Sequence, residues 1–241
     1  MQIKLSDIDE RRFGIRTAKA TDFDRHDIPY LFSFCASERV ELLIARCSTL
    51  DISVCQEMEK RGCRLMDTLV YYSNDLGKNT FSANLEGFTI RNVRPGEEDA
   101  VRRIASDAFR GYSGHYHSDA RLDQHKCDEI YEDWAYRSCV HKEVAEDVLV
   151  AEFKGAIIAF ATLRIVSPEE GEGVLFGVAR AFQGQGIYRG LIINGMRWCA
   201  SRGVLKMTVS TQITNIAVQK VWARLGFEPL SSFYTFHRWF T

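Results

Sequence analysis

From residue 88 onward the hydrophobic positions follow two rhythms in turn. Phe88 to Arg94 alternates with a period of two, as a strand with one buried face does. Pro95-Gly96-Glu97-Glu98 then opens a helix whose acidic first turn suits the dipole, and Val101, Ile104, Ala105 and Ala108 give it one apolar stripe. A polar, aromatic-rich loop, Arg110 to Asp119, leads to a second helix from about Asp123 to Val140. Val148 to Phe153 and Ala156 to Val166 read as strands joined by a Lys154-Gly155 turn, with Gly173 to Ala179 as a third. A helix from about Gly186 to Arg202 stops at Gly203. Strand Val204 to Gln212, helix Asn215 to Leu225 and a strand within Phe227 to Phe240 follow. The order β-α-α-β-β-β-α-β-α-β predicts an α/β plan built on a mixed sheet.

The N-terminal part echoes that ending. A shift of 164 positions places Val40 on Val204, Ile52 on Ile216, Val54 on Val218 and Gly62 on Gly226. Both windows read as strand, polar bend, helix, Gly, strand: Val40 to Arg46, Asp51 to Arg61, Gly62, and Leu65 to Tyr72. A partial duplication explains the matched order; two unrelated strand-helix-strand units are the alternative. Asp75 to Gly87 gathers Asn, Ser and Gly. The expected division is therefore 1–76, a linker at 77–86, and a C-terminal domain at 87–241.

Composition narrows the function. With 31 Lys+Arg against 32 Asp+Glu the formal charge is −1, which removes the basic excess that binds nucleic acid or an anionic membrane. Hydrophobic residues make up 46%, enough for a sizeable core, yet no run approaches a membrane span. Met1 to Arg12 lacks the apolar core of a signal peptide, and the 7 cysteines form no Cys-x-x-Cys pair. The expectation is a cytoplasmic protein with buried free thiols.

The richest chemical signal is Val174-Leu-Phe-Gly-Val-Ala-Arg-Ala-Phe-Gln-Gly-Gln-Gly-Ile-Tyr-Arg-Gly-Leu-Ile193. Here a strand enters a glycine turn that opens into a helix, so free amides and the helix dipole make an anion site. It is neither a dinucleotide fingerprint nor a Walker A loop. Gln183-Gly-Gln-Gly-Ile-Tyr-Arg-Gly-Leu resembles the pyrophosphate turn of the GCN5-related N-acetyltransferases, and Asn215-Ile-Ala-Val-Gln-Lys-Val-Trp-Ala-Arg-Leu-Gly-Phe227 is similar to their following helix. The resemblance covers about two thirds of the chain. It implies that fold for 87–241, with a smaller, partial copy before it, and acetyl transfer from acetyl-CoA to an amine without a metal. By the same resemblance Gln183, Gly184, Gln185, Gly186, Ile187, Tyr188 and Arg189 hold the pyrophosphate, Phe176, Gly177 and Val178 pair with the pantetheine arm, and Asn215 hydrogen-bonds it. Two positions depart from the pattern. Tyr188 replaces a small residue, and Trp222 stands where the family often has a tyrosine that protonates the leaving thiolate; an indole is no useful acid. Another tyrosine then serves, with Tyr234 on the last strand as the candidate, or CoA leaves as the thiolate.

The cluster Phe109-Arg-Gly-Tyr-Ser-Gly-His-Tyr-His-Ser-Asp119 falls where the family's acceptor pocket lies. His115 or His117 could take a proton from the attacking amine, because imidazole titrates near neutrality; exposed loop histidines are the alternative. Phe13-Gly14, Glu59 to Tyr72 and the two-part layout are also similar to the TDP-fucosamine acetyltransferases, which acetylate the 4-amino group of a nucleotide-linked dideoxy sugar. That implies a nucleotide-linked amino sugar as partner, bound by Arg110, Tyr112, His115 and Tyr116, and is compatible with a homodimer. An N-acetyltransferase for a peptide, lysine or polyamine is the competing enzyme, and a non-catalytic acyl-CoA sensor the competing binder. Direct attack in a ternary complex is expected, since no cysteine lies in the motifs.

Overall fold

The computed structural model describes residues 1–78 and 87–240. Most of the expected 77–86 linker lies outside the described residues. The elements in chain order are β1 (Gln2–Leu5), α1 (Asp7–Phe13), β2 (Thr17–Thr21), α2 (Ile28–Ser37), β3 (Leu42–Ser48), α3 (Ile52–Lys60), β4 (Arg64–Asp75), β5 (Thr89–Asn92), α4 (Glu98–Phe109), α5 (Gln124–Val140), β6 (Asp147–Phe153), β7 (Ala156–Ser167), β8 (Glu170–Val178), α6 (Ile187–Ala200), β9 (Lys206–Gln212), α7 (Ile216–Arg224) and β10 (Glu228–Trp239). All strands join one mixed sheet in the order β1-β2-β3-β10-β4-β9-β8-β7-β6-β5. Among the described residues only β2/β3 and β8/β9 are parallel pairs. No helix of the described residues is long and apolar enough to cross a membrane.

The echo becomes geometry here. β3 and β9, α3 and α7, and β4 and β10 begin and end 164 positions apart at every boundary. Each helix is capped by a side chain accepting backbone amides, Asp51 for α3 and Asn215 for α7. Each is followed by a left-handed glycine, Gly62 (φ 77°) and Gly226 (φ 81°). The two copies have also exchanged strands: β10 lies between β3 and β4, while β4 lies between β10 and β9. Residues 87–240 therefore take a strand of their sheet from the N-terminal half.

Strand alternation then sorts side chains onto two faces. One face packs on α2, α3, α6 and α7, burying Leu43, Ala45, Phe236, Met207 and Val209. The other packs on α1, α4 and α5 around Leu42, Ile44, Val148 and Phe160. Tyr234 and Phe236 share the first face; Thr235 and His237 share the second, as the alternation in the sequence implied.

Candidate active site

The site begins at a defect in the sheet. Thr162 pairs with Leu175 but Leu163 pairs with Gly173, so Val174 is the extra residue of a bulge. Bulges bend the strand that carries them. Pairing of β8 with β9 stops at the same place, with Gly173 opposite Val209 as the last pair. From Val174 to Val178 the β9-side edge of β8 is free while its other edge stays paired with β7. That leaves unpaired backbone amides facing a gap.

Beyond β8 the chain turns through Gly184 (φ 76°) and Gly186 (φ 81°) into α6. Gln183 ties the turn to the strand, its side-chain amide donating to the Val178 carbonyl at 3.1 Å. The first helical hydrogen bond runs from Gly190 to Gly186 (3.0 Å), so the preceding amides are orphans at the positive end of the dipole. A pyrophosphate fits this turn on charge and on steric grounds. Asn215 caps α7 through its side-chain oxygen, and its amide donates to Thr211 Oγ1 at 3.1 Å.

The two sequence departures touch each other. Trp222, 1% exposed, donates its indole N–H to the Tyr188 hydroxyl at 3.0 Å. Tyr188 leans on Phe176 with ring centroids 5.6 Å apart. Its own hydroxyl proton has no acceptor among the described residues, and burial raises its pKa, so Tyr188 stays a donor.

A cavity of about 500 Å³ joins the two faces through the gap. Phe176, Tyr188, Asn215 and Trp222 line it on one side; Tyr112, His115, Tyr116 and Tyr131 line it on the other. The N-terminal half contributes Asp9, Lys19, Arg46 and Tyr71, so the wall is assembled from both copies. On this second side lies a buried polar chain. Asp119 Oδ2 accepts from His237 Nδ1 at 2.7 Å and from the Trp239 indole at 2.8 Å. That carboxylate fixes the proton on His237 Nδ1, leaving Nε2 to accept from His115 Nδ1 at 2.9 Å. His115 Nε2 is then a bare lone pair, with no hydrogen bond to any described residue. Asp119, His115 and His237 are only 4%, 8% and 1% exposed, so the chain is held rigidly and away from bulk water.

The charge states follow. Burial first, then the electrostatic influence of its neighbours His237, Arg46 and Lys19, holds His115 well below its ordinary 6.5, so it is neutral at physiological pH. Burial opposes ionisation of Asp119, but the hydrogen bonds from His237 and Trp239 prevail and bring it to about 2. Both shifts depress the folded-state value, so both contributions to stability are present at high pH and lost on acidification. The His115 contribution starts to fall as pH drops through 6.5, and that of Asp119 only below 3.8. The melting temperature should be flat above about pH 7 and decline below it, and in His115→Gln the decline just below 6.5 should flatten. Differential scanning fluorimetry across pH measures this; an identical profile in both proteins contradicts the buried neutral imidazole.

A family model described as "Acetyltransferase (GNAT) family" matches residues 99–227, just over half of the chain. The chain belongs to the GNAT family of acetyltransferases. Among curated proteins it is similar to spore coat polysaccharide biosynthesis protein SpsD of Bacillus subtilis, 26% identical over 154 residues, covering 63% of this chain and 51% of that one. It is also similar to mycothiol acetyltransferase of Amycolatopsis mediterranei, 28% identical over 154 residues, 59% of this chain and 46% of that one. The chain thus spans about half the length of the curated relatives it matches. A solved GCN5-related N-acetyltransferase from Sphaerobacter thermophilus superposes with a TM-score of 0.69 over 98% of this chain and 76% of its own, at 17% identity, a likeness of fold.

Within this GNAT frame the residues singled out from the sequence part ways. Phe176, Tyr188 and Asn215 line the gap, and Tyr112, His115 and Tyr116 line the opposite side of the cavity. His117 does not line the cavity: its side chain, 11% exposed, stacks over Tyr131 with its Nε2 3.2 Å from Asp128 Oδ1. Arg110 is exposed, its carbonyl accepting from the Arg180 guanidinium, and it too stays outside the cavity. Tyr234 packs in the core of the N-terminal half, on the face away from His237, because alternation on β10 puts it there. It does not line the cavity. Tyr188 lines the cavity beside Trp222, and nothing in the sequence joined the two. Asp119 and His237 sat in the two highlighted runs without a role; they lie 118 positions apart, and no local spacing links them.

Proposed function

We propose that this chain is an acetyl-CoA-dependent N-acetyltransferase, and that its acceptor is the amino group of a nucleotide-linked amino sugar of the 4-amino-4,6-dideoxyhexose type. The observation that carries the activity is the cavity through the β8/β9 gap, with a neutral, buffered histidine on one side and a cofactor-shaped cradle on the other. Acetyl-CoA supplies the acetyl group as a thioester. Free amides of the α6 turn hold its pyrophosphate, and the open edge of β8 pairs with the pantetheine arm as an added strand. His115 Nε2 takes the proton as the amine attacks the carbonyl carbon, and the imidazolium is stabilised through His237 by the Asp119 carboxylate. A backbone N–H on the free β8 edge supports the developing negative oxygen. When the C–S bond breaks, the Tyr188 hydroxyl gives its proton to the sulfur, with the Trp222 indole hydrogen-bonding the phenolate left behind.

Attack within a ternary complex agrees with the thiols. No cysteine lines the cavity, and burial pushes Cys35, Cys63, Cys127, Cys139 and Cys199 up to about 12, which makes them poor nucleophiles. The sugar acceptor is supported by the likeness to SpsD, whose name places it in polysaccharide biosynthesis, and by a wall of tyrosines with His115 that suits hydroxyl groups.

Free-thiol release should be measured with acetyl-CoA and a panel of nucleotide-linked amino sugars, lysine peptides and polyamines. Turnover with a 4-amino sugar nucleotide is expected. Turnover confined to peptides or polyamines replaces the acceptor, and failure to bind CoA overturns the activity itself. Tyr188→Phe should lower kcat about 10- to 100-fold with KM for acetyl-CoA within about threefold, because a proton donor to the leaving sulfur acts only in the transition state. An unchanged kcat means the thiolate departs unprotonated.

A further inference from the structure

Among the charged groups that line the cavity, nearly all are already matched. Arg12 is 2.7 Å from Asp133, Lys19 is 2.6 Å from Asp9, and Arg164 is 2.5 Å from Glu172. These three pairs use every cavity carboxylate. Two guanidinium groups are left over, Arg46 and Arg137, and neither has a hydrogen bond or ion pair with a described residue. An arginine offers five donors, so leaving it unmatched in a partly enclosed wall is costly unless a ligand completes it.

Arg46 has the more telling position. It sits on β3, an interior strand of the sheet, on the same face as Leu42 and Ile44, directly across from Thr235 of β10. Thr235 carries a buried hydroxyl with no hydrogen-bond partner among the described residues, so polar capacity is unspent at this spot. His237 is two residues further along the same strand and face, paired in register with Ile44. Arg46 thus lies beside the buffered histidine pair, and its field reaches His115, Tyr116, Tyr131 and Tyr71 around the cavity.

We propose that Arg46 is the specificity-determining residue of the acceptor pocket, binding a phosphate oxygen of the acceptor's diphosphate through its guanidinium fork. This rests on the acetyltransferase reading and deepens it. The fork matches phosphate geometry in a bidentate way, and a wall with two unmatched cations repels a polyamine or a free lysine side chain. The exposed Arg110 is relieved of that duty. A residue from the N-terminal half then selects the acceptor, while the C-terminal half carries the proton transfers.

The test titrates thymidine or uridine diphosphate, inorganic pyrophosphate and succinate into the protein saturated with CoA, by calorimetry, so that the α6 turn is already filled. Wild type should bind the nucleoside diphosphate; Arg46→Met should weaken it about 10- to 100-fold, Arg46→Lys should recover part of that loss, and Arg110→Met should change it less than about twofold. Melting curves and CoA affinity establish that each variant is folded. Arg46→Met binding the diphosphate as wild type does overturns the proposal. So does succinate binding in an Arg46-dependent way where pyrophosphate and nucleoside diphosphates do not bind. The two readings fail separately: loss of CoA binding in the wild type strikes the acetyltransferase reading, whereas retained CoA binding with an indifferent Arg46→Met strikes only this one.

Discussion

Asp119→Asn should lower kcat/KM for acetyl transfer by about 100- to 1000-fold while leaving CoA affinity unchanged. The substitution keeps the volume and one acceptor oxygen, so the fold is not at stake in the way a truncation would put it. What changes is the proton on His237. Oδ2 accepts from both His237 Nδ1 and the Trp239 indole while Oδ1 accepts from the Arg121 backbone amide, so an Asn side chain must set its NH2 against one of these donor groups. A flipped His237 tautomer would put a proton on Nε2, facing His115 Nδ1, and His115 would respond by accepting there and carrying its own proton on Nε2. The lone pair meant for the amine is gone. His115→Gln should cost as much, and the double variant no more than either alone, because the residues act as one unit. Raising the pH should not rescue Asp119→Asn, since the defect is a tautomer and not a charge. Recovery of activity at high pH, or additive losses in the double variant, would falsify the relay.

The second prediction is all or none. Residues 87–241 produced alone should fail to give a cooperative melt or bind CoA, and co-production with residues 1–78 should restore both. Removing the N-terminal half withdraws β4 from between β9 and β10, breaking pairs from Leu69↔Gln212 to Asp75↔Lys206 on one side and from Glu228↔Ser73 to His237↔Arg64 on the other. It also removes β3 from the far edge of β10. Leu69, Val70 and Leu76 are buried, and at about 1.5–3 kcal/mol each their loss alone approaches the 5–15 kcal/mol that keeps a typical domain folded. Circular dichroism and calorimetry on the fragment decide it; a stable, CoA-binding fragment would show that β9 and β10 can close on each other.

Much of this architecture was legible because it is local or periodic. The 164-residue offset was visible in four matched positions and holds for every boundary of three element pairs. The helix expected from Gly186 to Arg202 spans Ile187–Ala200, and the strand expected from Phe88 to Arg94 spans Thr89–Asn92. The first forty residues gave no elements: β1 is four residues long, β2 five and α1 seven, too short for a period to show, and the ten residues of α2 are apolar on nearly every side. The exchange of β4 and β10 was invisible for a different reason. Alternation says which face a side chain takes but not which strand lies alongside, so the C-terminal half looked self-sufficient. The same limit governs the site. Alternation assigned Tyr234 and His237 to opposite faces, and the choice between those faces depended on where the Arg110 to Asp119 loop folds back. Tyr188 and Trp222, 34 positions apart, each read as an isolated departure, though together they form one hydrogen-bonded unit. Arg46 stood in a strand with no motif around it; it became meaningful only once the carboxylates of the wall had been matched to other cations.

The exchanged strands also set a problem during synthesis. β4 is complete at Asp75, but its neighbours begin at Lys206 and Glu228, so a twelve-residue strand leaves the ribosome with both edges bare and waits for most of the chain. Pairings this distant in sequence form slowly, and unpaired edges are sites of aggregation while they wait. Yield in a cell should therefore depend on chaperones that shield nascent strands more than the finished fold's stability suggests. Slowing translation after residue 78 should lengthen that exposure, whereas slowing it after β10 should do nothing.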